Sequence, residues 1–67
     1  MFKDNLKKIR KSKNFSQAEL ADKAGVTQAY ISYMESGENS PNIKIAKELA
    51  KALDVPIENL LEDDKAS

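Results

Sequence analysis

Apolar residues recur every three to four positions along most of the chain, which is the spacing of the buried face of an α-helix. Phe2, Leu6 and Ile9 follow this spacing and predict a first helix from about Phe2 to Ser12. Asn14 suits the left-handed residue that ends this helix, because Asn tolerates a positive φ better than most residues.

A capping-box sequence marks the start of a second helix. In Ser16-Gln17-Ala18-Glu19, the hydroxyl and the carboxylate can each accept a hydrogen bond from the other residue's backbone N–H. The inward face of this helix would then consist of Leu20, Ala21 and Ala24. Gly25 is expected to stop it.

Two further N-caps predict the third and fourth helices. Thr27 is a good N-cap for a helix that runs through Ser36, and Asn42 is a good N-cap for the next one. The apolar positions of the fourth helix have helical spacing and are Ile43, Ala46, Leu49, Ala50 and Leu53.

The end of the chain predicts one more short helix and a tail. Pro56 suits the first turn of a helix at Ile57–Leu61. Residues 62–67 contain three acidic residues in succession and are expected to form a frayed acidic tail. The pattern therefore predicts an all-α, compact five-helix bundle, with residues 1–61 as a single domain.

Composition excludes several classes of function. The 67 residues include no cysteine and no histidine, so disulfides, the usual zinc ligands and the commonest general base are missing. The first ten residues are too charged for a signal peptide, and no apolar run approaches the length of a membrane span. We expect a cytoplasmic protein that is not an enzyme and that has no cofactor, no metal and no membrane partner.

Charge is distributed unevenly although the net charge is zero. Residues 1–34 carry seven Lys/Arg and three acidic residues, whereas residues 35–67 carry four lysines and eight acidic residues. The first half therefore has a net charge of +4 and the second half a net charge of −4. This fits a protein with one face that meets phosphate and another that is kept away from it. Ordinary solvated helix faces would give the same distribution, so charge alone leaves both interpretations open.

The second and third helices have the lengths and spacing of a helix-turn-helix. Gly25 permits the sharp corner between them, and Val26 and Ile31 would hold the third helix across the second. Gln28 would then point outward, and a Gln amide can pair with both N6 and N7 of adenine in the major groove.

Several separated blocks of the chain resemble the phage Cro/repressor (XRE) helix-turn-helix family. Residues 16–28 read SQAELADKAGVTQ, and the other matching positions are Tyr30, Ile31, Ser32, Glu35, Gly37, Pro41 and the runs LAKAL at 49–53 and IENLL at 57–61. The resemblance covers about residues 5–61. It implies a lambda-repressor-like DNA-binding domain that recognises specific sequences in double-stranded DNA.

The same resemblance implies roles for individual residues. The residues expected to read bases are Gln28, Ala29, Ser32 and Tyr33. Those expected to touch the DNA backbone are Gln17, Thr27, Tyr30, Asn39, Ser40 and Asn42, and Gln17 would also brace the recognition helix. Arg10 and Glu35 match an ion pair of the family. Tyr33 and Glu38 depart from the basic or amide residues common at their positions, which changes the expected operator sequence and not the class.

Four apolar residues near the end of the chain exceed what one small core can bury: Val55, Ile57, Leu60 and Leu61. We expect them to form a dimer interface between two copies, although all four could also cap the core.

Two functions remain open at this point. The leading hypothesis is a homodimeric transcriptional regulator, in the role of a repressor, that binds a palindromic operator with its third helix in the major groove. The alternative is an antitoxin-like or anti-regulator module that binds a protein partner, which the zero net charge and the acidic second half favour.

Overall fold

Five helices form the part of the chain that the computed structural model describes, residues 2–37 and 42–61. They are α1 (Phe2–Ser12), α2 (Gln17–Ala24), α3 (Gln28–Glu35), α4 (Ile43–Leu53) and α5 (Ile57–Leu61). The all-α bundle predicted from the apolar spacing is confirmed. The predicted tail at residues 62–67 lies outside the described residues, as do Asn39 and Ser40.

Local capping sets the helix boundaries as the sequence predicts. Ser16 and Glu19 form the capping box of α2, with the Ser16 backbone N–H donating to Glu19 Oε1 at 2.8 Å and the Glu19 N–H donating to Ser16 Oγ at 3.0 Å. Asn42 Oδ1 accepts from the backbone N–H of Ile45 at 2.9 Å at the start of α4. Asn14 has a φ of 64° after α1, in the left-handed region expected of it.

The core lies where the inward faces of the helices meet. Helix α2 packs against α3 and α4, while α1 packs against α3 and α5. The largest fully buried side chains are Leu6, Leu20, Ile31, Met34, Leu49, Leu53 and Leu60. Burying apolar side chains in this way stabilises a domain by roughly 1.5–3 kcal/mol for each large residue.

Ile43 does not join this core, contrary to the prediction from the spacing of α4. Its side chain is 58% exposed, whereas Ala46, Leu49 and Ala50 on the same helix are buried. Ile43 is the first residue of α4, so its side chain lies at the end of the helix, before the turns that pack against the other helices.

Asn5 is a buried polar residue that no pattern in the sequence marks as such. It is 6% exposed, and its Nδ2 donates to the backbone carbonyl of Leu60 at 2.9 Å. The bond joins α1 to α5. It also gives the buried amide the hydrogen-bond partner that it needs to be stable away from water.

No described helix is both long and apolar enough to cross a membrane. Within residues 2–37 and 42–61, no group of acidic side chains is arranged to hold a metal ion.

Candidate nucleic-acid interface

A tight glycine corner joins α2 to α3. Gly25 has a φ of 74°, in the left-handed region that glycine adopts without strain, and its N–H donates to the carbonyl of Ala21. The N–H of Val26 donates to the same carbonyl at 3.0 Å, and Val26 packs against the core. Thr27 then caps α3, its hydroxyl oxygen accepting from the N–H of Tyr30 at 3.1 Å. These contacts fix the direction in which α3 leaves the corner.

Helix α3 has one buried face and one exposed face. Ile31 and Met34 are 0% and 1% exposed, and they hold the helix on the core. The exposed side chains are Gln28, Ala29, Ser32 and Tyr33. Since successive residues of an α-helix are about 100° apart, these four positions lie on one side of the helix. The structure therefore brings together the four residues predicted to read bases.

The two tyrosines of α3 have different environments. Tyr33 is 44% exposed, whereas Tyr30 is half-buried and packs against the core. Tyr33 is thus the aromatic side chain that a ligand of this surface would meet.

Arg10 and Glu35 form a buried ion pair that joins α1 to the end of α3. Arg10 Nε donates to Glu35 Oε2 at 2.7 Å and Nη2 donates to Glu35 Oε1 at 3.1 Å, a bidentate geometry. The two side chains are 9% and 4% exposed. Arg10 Nη1 also donates to the backbone carbonyl of Phe15 at 2.7 Å. This is the ion pair that the family resemblance implies.

Gln17 extends this cluster to the first turn of α2. Its Nε2 donates to Glu35 Oε1 at 3.2 Å, so the carboxylate of Glu35 links α1, α2 and α3. A side-chain amide has two N–H donors, so this bond leaves a second donor for another partner. The bond itself ties the start of α2 to the end of α3, while a phosphate contact by Gln17 stays a prediction.

Two more of the residues predicted to touch a DNA backbone are the N-caps Thr27 and Asn42. Thr27 and Asn42 are exposed, and each uses its side-chain oxygen to cap a helix. Helix N-termini carry unpaired N–H groups and a partial positive charge, which favour phosphate. Asn42 retains its side-chain NH₂ as a donor, since the cap uses only Oδ1.

Three of the four residues predicted to form a dimer interface pack against their own core. Leu60 is 0% exposed, so the prediction that it contacts a second copy is wrong. The reason is that α5 packs against both α1 and α4, which places Leu60 between them. Val55 and Ile57 are half-buried against the same core, and Leu61 is 50% exposed.

Two contacts of this region do not follow from local spacing. One is the bond of Gln17 to Glu35, 18 positions away, which gives a partner to the brace of the recognition helix that the family resemblance implies. The other is Lys23, whose Nζ lies 5.3 Å from the centre of the Phe15 ring, a cation–π geometry. The first contact involves the start of α2, and the second involves its last turn.

Two short helices joined through a glycine corner, with the second helix held by one face and exposing the other, define a helix-turn-helix domain. A sequence model of the family described as "Helix-turn-helix" matches residues 6–60. The uncharacterized HTH-type transcriptional regulator YqaE of Bacillus subtilis is 42% identical over 65 residues, which are 96% of this chain and 55% of YqaE. The HTH-type transcriptional regulator SinR of the same organism is 36% identical over 64 residues, 94% of this chain and 58% of SinR.

Solved structures show the same similarity. SinR, called the master regulator for biofilm formation, in complex with DNA has a TM-score of 0.87 at 36% identity, covering 92% of this chain and 100% of that chain. The complex of SinR with SinI protein has a TM-score of 0.87 at 37% identity, covering 98% of this chain and 64% of that chain. The restriction-modification controller protein C.AhdI from Aeromonas hydrophila has a TM-score of 0.85 at 30% identity, covering 88% of this chain and 86% of that chain.

The chain belongs to the XRE-type helix-turn-helix family, whose members YqaE and SinR are transcriptional regulators. It spans somewhat more than half the length of these two relatives.

Proposed function

We propose that this protein is a sequence-specific DNA-binding transcriptional repressor that binds a palindromic operator as a homodimer, with α3 in the major groove. One observation carries the proposal: α3 is held on the core by Ile31 and Met34 while four side chains on its other side are exposed together. A major groove about 12 Å wide admits an α-helix in this orientation.

The arrangement of charges around α3 supports a DNA ligand. The side chain of Glu35, the acidic residue within α3, is 4% exposed and paired with Arg10, so its charge is compensated and does not face the outside. The exposed side chains of the helix are uncharged, and none of them would be repelled by flanking phosphates. The positive half of the chain, residues 1–34, includes the first two helices and most of α3.

Dimerisation would give the protein two half-sites. A single α3 reaches few base pairs, and dimers of helix-turn-helix proteins read two half-sites about one helical turn apart. Leu61, exposed on α5, supports a contact between two copies there, with Val55 and Ile57 beside the core. A dimer bound to an operator within a promoter would block transcription from it. This requires no surface other than the exposed face of α3 and the dimer contact at α5.

The Gln28→Ala variant is expected to relax sequence selectivity at one position of each half-site. A bidentate contact between an amide and adenine discriminates by about 1–3 kcal/mol, or roughly 5- to 150-fold in affinity. Both proteins would be used to select duplexes from a randomised library at moderate salt. The wild-type protein should enrich a palindrome. The variant should enrich the same palindrome, but without a preferred base at one position of each half-site.

Lys44→Ala provides the matched control, because Lys44 is an exposed cation in the first turn of α4, two residues after the cap residue Asn42. Loss of a phosphate contact weakens binding to all sequences about equally, so the selected motif should be unchanged. If the wild-type protein enriches no sequence, direct reading by α3 is wrong. The alternative of a protein partner would then lead, which the structure of the relative SinR with SinI protein also favours.

The Leu61→Asp variant is expected to weaken self-association and the binding of full palindromes. A carboxylate in an apolar contact between two copies would lose its hydration without a partner. Sedimentation equilibrium over a range of concentrations, with helicity checked by circular dichroism, measures the change. A wild-type protein that stays monomeric at tens of micromolar would contradict the dimer, and the operator would then be a single half-site.

A further inference from the structure

The exposed face of α3 carries only uncharged side chains. It presents one amide, one methyl group, one hydroxyl and one phenol, from Gln28, Ala29, Ser32 and Tyr33 respectively. It presents no cation, and the sequence contains no Lys or Arg from residue 24 to residue 43. The carboxylate of α3 is turned away and paired with Arg10.

These side chains match the major-groove pattern of A·T pairs and not that of G·C pairs. Guanine presents two acceptors, which Arg or Lys reads, and cytosine presents an amino donor, which Asp or Glu reads. Neither kind of side chain is exposed on α3. Adenine presents one acceptor and one donor, which match the amide of Gln28, and Ser32 does not discriminate because a hydroxyl pairs with either kind of base.

Thymine differs from the other bases by a C5-methyl group in the major groove, and this group is read by apolar contact. Ala29 and Tyr33 are four residues apart, so they lie one above the other on the same side of α3. Together they offer a methyl group and an aromatic ring, and Tyr33 is 44% exposed before any ligand binds. This pair provides an apolar contact for a methyl group next to the amide of Gln28.

We propose that α3 recognises a half-site of A·T pairs, with Gln28 on adenine and the Ala29–Tyr33 pair on thymine methyl groups. The inference rests on the proposed function, since it requires α3 to enter the major groove. Its consequence is that affinity depends on the C5-methyl groups of thymine and that most of this dependence comes from the ring of Tyr33, the larger group of the pair.

Replacing thymine by deoxyuridine tests this directly, since the substitution removes the methyl group and keeps every hydrogen-bonding atom of the base. The duplex enriched from a randomised library would be made with thymine or with deoxyuridine in the half-sites, and a duplex substituted only outside them is the control. The wild-type protein should bind the substituted half-site about fourfold more weakly for each contacted methyl, the factor that corresponds to about 0.8 kcal/mol for one buried CH₂. Tyr33→Phe should retain this ratio, and Tyr33→Ala should reduce it to less than half, leaving only the contact of Ala29.

The outcomes separate this inference from the function on which it rests. An enriched half-site of G·C pairs, or an A·T half-site that binds equally well with deoxyuridine, overturns the inference and leaves sequence-specific binding intact. An effect of deoxyuridine that is undiminished in Tyr33→Ala overturns the assignment to Tyr33. If no sequence is enriched, both the inference and the proposed function are wrong.

Discussion

Replacing Arg10 by Met is expected to lower the free energy of unfolding by about 3–5 kcal/mol, because it leaves the buried carboxylate of Glu35 without its cation. Arg10 donates three hydrogen bonds, two to Glu35 and one to the carbonyl of Phe15. After the substitution, Glu35 would retain only the amide of Gln17. A domain of this size is stable by roughly 3–10 kcal/mol in total, so the variant should be close to unfolding at 37 °C.

The double variant Arg10→Met/Glu35→Leu separates the cost of the stranded charge from the contribution of the pair itself. Buried ion pairs replaced by apolar residues of similar volume are often neutral or more stable, so the double variant should recover most of the loss. Asp4→Asn is the matched surface control, since the ion pair of Asp4 with Lys3 is mostly exposed and should contribute no more than about 1 kcal/mol.

Urea denaturation of the four proteins, followed by circular dichroism, gives the free energies directly. A loss below about 1 kcal/mol for Arg10→Met would show that the pair is solvated in solution, contrary to its burial in the structure. The cluster also fixes α2 relative to α3, because Glu35 contacts both Arg10 and Gln17. Any folded fraction of the variant should therefore bind DNA more weakly than the wild-type protein.

Replacing Leu60 by Ala is expected to lower the free energy of unfolding by about 2–5 kcal/mol, because it leaves a cavity where α5 meets α1 and α4. Leu60 is completely buried, and its backbone carbonyl is the acceptor for the buried amide of Asn5. Movement of α5 into the cavity would break this hydrogen bond, so α5 is expected to stay in place and the cavity to stay open. The loss of stability should therefore lie in the upper part of the range given above.

Ile43→Ala is the control for Leu60→Ala, since it removes an aliphatic side chain that is 58% exposed. Its effect should be small, because surface substitutions away from special features usually change stability by no more than about 0.5 kcal/mol. The loss for Leu60→Ala should also be the same at all protein concentrations. A loss that shrinks on dilution would place Leu60 between two copies, contrary to its burial within one chain.

The helix boundaries were predictable because they depend on short stretches of sequence. Ser16 with Glu19 forms a capping box within four residues, and Gly25 ends α2 through its own backbone conformation. The exposed face of α3 was predictable for a related reason. Once Ile31 and Met34 are assigned to the core, the helical period places Gln28 and Tyr33 on another side.

The errors concern side chains whose environment depends on which helices meet. Ile43 and Leu60 both have the apolar character and spacing of core residues, yet one is exposed and the other fully buried. Periodicity identifies a face of a helix but not how far along its axis the neighbouring helices reach. Ile43 lies before that region of α4, whereas Leu60 lies within the contacts of α5 with α1 and α4.

The local sequence is enough to set where the five helices begin and end, because caps, glycine corners and helical spacing act over a few residues. It also determined the chemistry of α3, whose exposed side chains are uncharged whatever surrounds them. The meeting of Arg10 and Gln17 on one carboxylate oxygen of Glu35, and the burial of Leu60, depend instead on the packing of the helices. These contacts join residues that are 18 to 55 positions apart, and their geometry depends on how all the helices pack together.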